Sequence, residues 1–396
     1  LVVGLREPLD VGLYVHVAFC QSKCFYCDFN TYAGQNHLIG RYVDALVCEI
    51  ERLPQDVPGH ETQPIQEYGI GSIFLGGGTP SLLTPRQIAA ILDAPRARLV
   101  NPAAEITIEA NPDDPTVDYL REIRDLGVNR LSFGVQSFDD AMLRRLGRRH
   151  DAQTAIRAVE RARAAGFDNV SIDLMFALPD QTLEDWTNTL ERAIALAPDH
   201  LSLYNLTVEP DTAFGAWAAA GTLTVPDDDS AADMYEAAID RLGSAGYAHY
   251  EISNWSRVDS RRDLRAQHNL RYWRNQPYLG VGAGAHSFFC GYRYSDLRSP
   301  LGYIKTVSAG KTPVVDAEPI SPELERGETM LLGLRLAEGI DAGAFRERFG
   351  HTPDELYGPI LAELRDAGLI EQYANLVRLT RRGKLLGNEV FYRFLP

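Results

Sequence analysis

The chain has 396 residues, with 39 Lys plus Arg against 54 Asp plus Glu, a formal net charge of −15. That balance argues against general affinity for nucleic acid or anionic membrane, both of which need clustered positive charge. Hydrophobic residues make up 45% and charged residues 23%, enough apolar material to bury a large core and exclude disorder as the main state. No run approaches the roughly 18 uninterrupted apolar residues of a membrane span. Arg6, Glu7 and Asp10 break the N-terminal stretch, so it is no secretory signal either. The chain does not open on Met, which leaves room for native residues before Leu1. Its five cysteines, with Cys20, Cys24 and Cys27 close together and Cys48 and Cys290 apart, do not form a secreted disulfide pattern. The expectation is a cytoplasmic protein of two to three packed units.

Short apolar or alternating segments recur along the chain, each followed by a longer amphipathic stretch. Strands are expected at 13–17, 72–75, 105–109, 131–135, 170–174 and 201–205. Helices are expected between them, at 41–53, 85–99, 116–126, 151–165 and 183–196, with Thr84 before Pro85 and Gly127 and Gly166 as start and stop signals. Pro54, Pro58, Gly59 and Pro64 make 54–69 a loop. Repeated β-α alternation implies a parallel sheet, open or wound into a partial barrel. After about residue 215 the alternation fades into one more helix at 235–245 and a segment rich in Gly, Asn, Arg and aromatics at 251–299. The last hundred residues start afresh, with helices at 323–336, 342–349 and 355–367 and a hairpin of 369–372 with 377–380 around Asn375. That pattern predicts a small winged-helix-like domain. Its basic edge of Arg378, Arg381, Arg382 and Lys384 reads better as a solvated face than as a DNA-binding surface, given the acidic whole.

The strongest signal is Cys20-Gln-Ser-Lys-Cys24-Phe-Tyr-Cys27, directly after the first strand. Closed structural zinc needs four ligands, and Asp28, His16 or Cys48 would have to supply the fourth. A [4Fe–4S] cluster held by three thiolates would instead leave one iron open to a small molecule. Cys48 and Cys290 read as inert core residues.

Strand parity locates a site. Ser132, Gly134 and Gln136 share one face of their strand, Glu105, Thr107 and Glu109 one face of theirs, and Ser171 and Asp173 another. Three strands thus carry a polar residue at or just past the carboxyl end, where parallel barrels collect their functional groups. Gly76-Gly77-Gly78-Thr79-Pro80 ends the second strand. Such glycines are expected to let a ligand approach the backbone closely, although the P-loop lysine is missing.

The cysteine spacing after Leu13-Tyr14-Val15-His16-Val17 resembles the radical S-adenosylmethionine (SAM) superfamily. Tyr14-x-His16, Gly76–Pro80, Ile108–Pro112, Gly134–Phe138, Arg148, Ile172–Leu174 and Tyr250–Asn254 follow in the order of the oxygen-independent coproporphyrinogen III oxidase (dehydrogenase) family and its heme-chaperone relatives, over nearly the whole chain. The resemblance implies a partial parallel (β/α) barrel over 1–215, its completion with a heme motif over 216–300, and a mostly helical, winged C-terminal domain over 301–396. It implies that Cys20, Cys24 and Cys27 ligate a [4Fe–4S] cluster whose open iron chelates SAM, cleaved there to a deoxyadenosyl radical. Tyr14, Tyr26, Gly77, Gly78 and Thr79 would line the methionine end of SAM, and Glu109, Gln136, Arg148 and Asp173 the rest, with Thr207 contacting it through the main chain. Ala18 departs from the family, which usually has Pro there; the effect should fall on loop stiffness.

Two features separate the relatives. The dehydrogenase carries a further cysteine two residues after the third ligand, where this chain has Phe29, and a longer segment before its motif than the 19 residues here. His268-Asn269-Leu270-Arg271-Tyr272-Trp273 matches the H-N-x-x-Y-W motif of the chaperone group. His268 is therefore expected as an axial ligand of heme iron, with Tyr272 and Trp273 covering a porphyrin face, and His286 is a second candidate close to SAM. The implied function is a cytoplasmic heme chaperone, peripherally associated with the membrane where respiratory apo-hemoproteins are the recipients, served by an electron donor and binding no nucleic acid. The alternative is radical decarboxylation of two propionates of coproporphyrinogen III.

Overall fold

The computed structural model describes residues 9–58, 68–97 and 100–396. Six parallel strands, Leu9–Val17, Tyr68–Gly77, Val100–Ala110, Arg130–Gln136, Val170–Phe176 and His200–Asn205, lie side by side in chain order. Helices Ile39–Asp56, Pro85–Asp93, Val117–Asp125, Ala152–Ala164 and Leu183–Ala195 connect them. On the outer face of the strands Val11, Leu13, Val15, Ile73, Leu75, Ile108, Leu131, Phe133, Ile172, Leu174, Leu201 and Leu203 are buried in one core with helix residues such as Leu46, Ile91, Ile123, Ala158, Trp186 and Leu190. Each burial of a Val, Leu, Ile or Phe side chain contributes roughly 1.5–3 kcal/mol. The opposite face is polar: Ser72, Thr107, Arg130, Ser132, Ser171, His200 and Ser202 are all buried inside the barrel.

The sheet does not close on itself. Tyr278–Val281 joins the first strand in parallel, followed outward by antiparallel His286–Phe289, Tyr292–Asp296 and Val314–Pro319. At the other edge Asn254–Arg257 and Tyr247–Glu251 run antiparallel beyond His200–Asn205, giving twelve strands in all. A second core of Met330, Leu334, Ile340, Phe345, Leu361, Leu364, Ile370, Val377, Leu379, Val390, Phe391 and Phe394 holds the C-terminal unit together. Helices Pro322–Gly333, Ala342–Phe349 and Pro353–Asp366 pack there on a small sheet whose hairpin, Ile370–Tyr373 with Leu376–Leu379, turns at Ala374 with φ 52°. The fold is thus a partial parallel barrel with a mostly helical, winged C-terminal domain.

The basic edge of that wing faces partners within the chain. Arg378 pairs with Glu371, and Arg381 pairs with Asp240 and Glu236. Several expectations change in detail. The first long helix runs through Pro54–Asp56, Tyr68–Gly77 is already strand at Gly69, and 59–67 lie outside the described residues. The helix after Thr84 stops at Asp93, followed by a 3-10 turn at Ala94–Ala97, and 98–99 lie outside the described residues. The helix expected at 235–245 begins at Asp228, capped by Asp227. Neither remaining cysteine is a core residue: Cys48 is exposed and Cys290 half-buried in a turn with φ 51°.

Candidate cofactor site

The cysteine loop is moored at both ends. Phe19–Cys20 pairs with Tyr32–Ala33, and the N–H of Tyr32 donates to the carbonyl of Ala18 at 2.8 Å. Between them the N–H of Phe25 donates to Leu146 O at 3.1 Å, and the N–H of Phe214 to Phe25 O at 3.0 Å. Tyr26 packs on a small apolar cluster of Leu146, Met175, Leu178, Leu206 and Phe214. A helix the pattern did not suggest, Asp140–Leu146, therefore carries part of the site; Asp139 caps it and Gly147, with φ 76°, ends it. That termination delivers Arg148 to the cysteines.

Donors point at the sulfurs. The Thr79 hydroxyl lies 3.4 Å from Cys20 Sγ, and Arg148 Nη1 lies 3.4 Å from Cys24 Sγ. Burial pushes the Cys20 and Cys27 thiols above their ordinary range, and the neighbouring thiols add to this. Among the described residues no three His, Cys, Asp or Glu side chains close around a single ion. Of the candidates for a fourth zinc ligand, His16 has Tyr14 at one ring nitrogen and the Asn30 carbonyl at the other, and Cys48 sits exposed on the first helix. Three clustered thiols with donors aimed at sulfur fit a group larger than one ion, as a cubane cluster is. Bound there, it would offer an open iron and an electron.

Arg148 is the joint of the site. Its Nη2 donates to Gly134 O and Asn111 Oδ1, each at 2.5 Å, while its Nε is buried without a partner among the described residues. Asn111, just past the third strand, also donates to Thr79 Oγ1 at 3.3 Å and was not singled out from the sequence. Gln136 stands where parity put it, but at a bulge with φ 67°; its Oε1 is buried and, among the described residues, unpartnered. Two orphaned polar atoms at the cysteine end of the barrel are what a site built for a polar ligand leaves when its ligand is not counted.

The carboxylates share the inner face as expected. Ser132 Oγ donates to both oxygens of Asp173, at 3.0 and 3.2 Å. Glu109 Oε2 accepts the Gly77 N–H at 3.0 Å. Burial, reinforced by the charge of Asp173, raises the Glu109 carboxyl to about 7. Asp173 is also raised by burial, opposed by hydrogen bonds from Ser202 and Ser132. Thr207 lies exposed just beyond the last parallel strand.

The glycine run also serves the fold. The Gly78 N–H donates to Val17 O at 2.8 Å and the Thr79 N–H to Phe19 O at 2.8 Å. A Cβ on Gly78 would lie 2.5 Å from Phe19 O and 2.7 Å from Val17 O, and one on Gly77 2.5 Å from the His16 ring. Close approach is needed here by the protein's own backbone, which presses the second strand's end against the cysteine loop.

Beside these residues opens a cavity of about 710 Å³, bordered by Tyr14, Gly77, Glu109, Phe29, Tyr272 and His286 among others. His286 is exposed on its wall, and Phe29, 62% exposed, stands at its rim. His268 is not free. It is 0% exposed, its Nδ1 is 2.9 Å from Ser72 Oγ, and its Nε2 is 2.8 Å from the Tyr272 hydroxyl. Burial holds its imidazole neutral, near 3. In this arrangement neither ring nitrogen is open to heme iron, so the expected axial role does not match the geometry. The helix Gln267–Trp273 instead plugs the barrel floor, its Gln267 and His268 N–H groups donating to Glu105 and its Arg271 pairing with Asp10. Tyr272 borders the cavity; Trp273 faces away, under the Arg335 guanidinium at 4.4 Å.

A partial parallel barrel with a three-cysteine loop at the carboxyl end of its strands defines a radical SAM protein. A model of the radical SAM superfamily matches residues 14–193, and one of the HemN C-terminal domain matches 320–386. The chain belongs to the HemW family. It is 38% identical to the heme chaperone HemW of Bacillus subtilis (strain 168) over 96% of this chain and 98% of that protein. It is 36% identical to the heme chaperone HemW of Escherichia coli (strain K12), over 97% and 98%. The radical SAM enzyme coproporphyrinogen III oxidase (HemN) from Escherichia coli shares the fold, with a TM-score of 0.82 at 24% identity, covering 99% of this chain and 91% of that one.

Proposed function

We propose that this chain is a heme chaperone that binds heme and passes it to apo-hemoproteins, respiratory ones at the membrane included, and that it carries a SAM-binding [4Fe–4S] cluster on Cys20, Cys24 and Cys27. The observation that carries the reading is the exposed imidazole of His286 on the wall of a cavity of about 710 Å³, in a chain whose near full-length relatives are named heme chaperones. A neutral imidazole is a good ligand for heme iron, and His286, unlike His268, is accessible to it. In this reading SAM lies among Tyr14, Tyr26, Gly77, Gly78, Thr79, Glu109, Gln136, Arg148, Asp173 and Thr207. The cluster and SAM serve assembly or a redox step in transfer, with a low-potential donor supplying electrons. In this reading the protein works in the cytoplasm. Among the described residues no helix is long and apolar enough to cross a membrane.

The second reading is oxidative decarboxylation of coproporphyrinogen III, for which the same SAM site is equipped. One anaerobic experiment separates the two. Reconstituted protein receives SAM, a low-potential reductant and coproporphyrinogen III in one vessel, and heme followed by an apo-hemoprotein in another. The chaperone reading expects no porphyrin product and transfer of heme, with the iron's absorption signature lost in His286→Ala and kept in His268→Ala. Repeated turnover to the divinyl product would overturn it in favour of the enzyme.

A further inference from the structure

We infer that Tyr272 is a hydroxyl donor fixed to point into the cavity, held in that sense by a one-way hydrogen-bond chain from Arg271 through Ser72 and His268, and that it receives a carboxylate of the cavity's ligand. The inference rests on the cavity being the ligand site proposed above. Arg271 Nε lies 3.0 Å from Ser72 Oγ, Ser72 Oγ 2.9 Å from His268 Nδ1, and His268 Nε2 2.8 Å from the Tyr272 oxygen. A guanidinium can only donate, so one lone pair of Ser72 is taken and the direction of the remaining links is open to argument.

Ser72 is 0% exposed, and among the described contacts its hydroxyl proton has one acceptor within reach, His268 Nδ1. If that proton goes to Nδ1, the neutral ring carries its own proton on Nε2 and donates to the Tyr272 oxygen. The Tyr272 proton then points outward, into the cavity it borders. The reverse sense would have Nδ1–H and Arg271 both donating to Ser72, leaving a buried serine proton with no acceptor, which is the costlier arrangement. Burial keeps the imidazole neutral at any ordinary pH, so it cannot donate from both nitrogens. The Tyr272 ring is held edge-on between His268 and Tyr278, at centroid distances of 5.1 and 4.6 Å.

The same molecule contains the opposite case at Tyr14: His16 Nε2–H donates to Asn30 O at 3.0 Å and burial keeps that ring neutral, so its Nδ1 accepts the Tyr14 proton at 2.9 Å. Tyr14 therefore offers the cavity only lone pairs, and Tyr272 offers it a proton. A ligand carboxylate suits Tyr272, and two sources have one: the methionine end of SAM and a porphyrin propionate.

Two measurements on the cluster-reconstituted full chain test this. Nitrogen NMR of 15N-histidine-labelled protein, assigned with His268→Gln, is expected to show His268 protonated on Nε2. A His268 protonated on Nδ1 would overturn the relay. Binding of SAM, decarboxylated SAM, heme and heme dimethyl ester is then compared in wild type, Tyr272→Phe and Ser72→Ala. Both variants should weaken either SAM or heme by about ten-fold to a hundred-fold and leave the matching carboxylate-free analogue unchanged; which ligand responds names the source. Unchanged affinity for SAM and heme in Tyr272→Phe, or equal losses for acid and analogue, would overturn the donor assignment. Should wild type bind neither ligand, the functional reading fails and the carboxylate assignment with it, whereas the relay stands or falls on the nitrogen spectrum.

Discussion

Glu109 Oε2 lies 3.0 Å from the backbone N–H of Gly77, joining the end of the third parallel strand to the end of the second beside the cysteine loop. The bond favours the ionised carboxylate, yet burial and the charge of Asp173 prevail and bring the group to about 7. The ordinary value of such a carboxyl is 4.5, so between about 4.5 and 7 the folded protein holds a proton there that the unfolded chain has released. Stability contributed by this group is therefore complete below about 4.5 and declines as pH rises through 7, by about 3 kcal/mol over the window. Urea unfolding of wild type and Glu109→Gln across that range checks it. The wild-type midpoint should fall more steeply with pH than that of the variant; parallel curves would refute the assignment.

Much of this site was legible in the sequence because it depends on period and order. Glu109 and Asp173 were placed on the inner face by alternation alone, and the cysteine loop by spacing. What failed to show had other causes. The helix Asp140–Leu146 has only seven residues, too few for a periodic signal, although Asp139 and Gly147 are the cap residues such a helix needs. The bulge at Gln136 changes the backbone without changing the pattern of side chains. His268 could not be read as buried because the residue that engages it, Ser72, lies 196 positions earlier in the chain.

Removing that histidine should be costly for the fold. His268→Ala empties a fully buried site and leaves Ser72 and Tyr272 without their shared partner. The expected loss is about 2–4 kcal/mol, read as a lower urea midpoint with an unchanged slope. A variant as stable as wild type would mean that the floor helix Gln267–Trp273 does not hold the barrel as described.

Gly78 is the position where the cysteine loop and the second strand come closest. In Gly78→Ala the new methyl would meet the carbonyl oxygens of Phe19 and Val17 at 2.5 and 2.7 Å, and neither is the end of a flexible side chain. The strain, about 1–3 kcal/mol, falls on the residue next to Cys20. Iron and acid-labile sulfide per chain after anaerobic reconstitution should drop clearly below wild type. Full incorporation would show that the loop tolerates a displacement here.

Arg148 joins Cys24, Asn111 and Gly134 through a planar fork, a geometry that lysine does not reproduce. Arg148→Lys keeps the positive charge near the thiols but drops at least one of those bonds. Cluster content should survive, while SAM affinity by anaerobic equilibrium dialysis falls about ten-fold. Loss of cluster with SAM binding retained would overturn this assignment of Arg148.

Among the arginines that tie the C-terminal domain to the barrel, Arg381 and Arg335 should not matter equally. Arg381 pairs with Asp240 and Glu236 at the surface, at 2.7 and 3.3 Å, and exposed pairs of this kind contribute at most about 1 kcal/mol. Arg335 lies 4.4 Å above the Trp273 ring and 5.7 Å from that of Phe391, so one guanidinium bridges the floor helix and the second core. The backbone around it adds two links, from Ile252 N–H to Arg335 O at 3.2 Å and from Ala337 N–H to Tyr250 O at 2.9 Å. A largely desolvated cation over two rings is worth about 2 kcal/mol. Arg335→Ala should accordingly expose the segment after Pro319 to limited proteolysis, and Arg381→Ala should leave the digestion pattern unchanged. Equal protection in both variants would place the domain contact elsewhere than on Trp273.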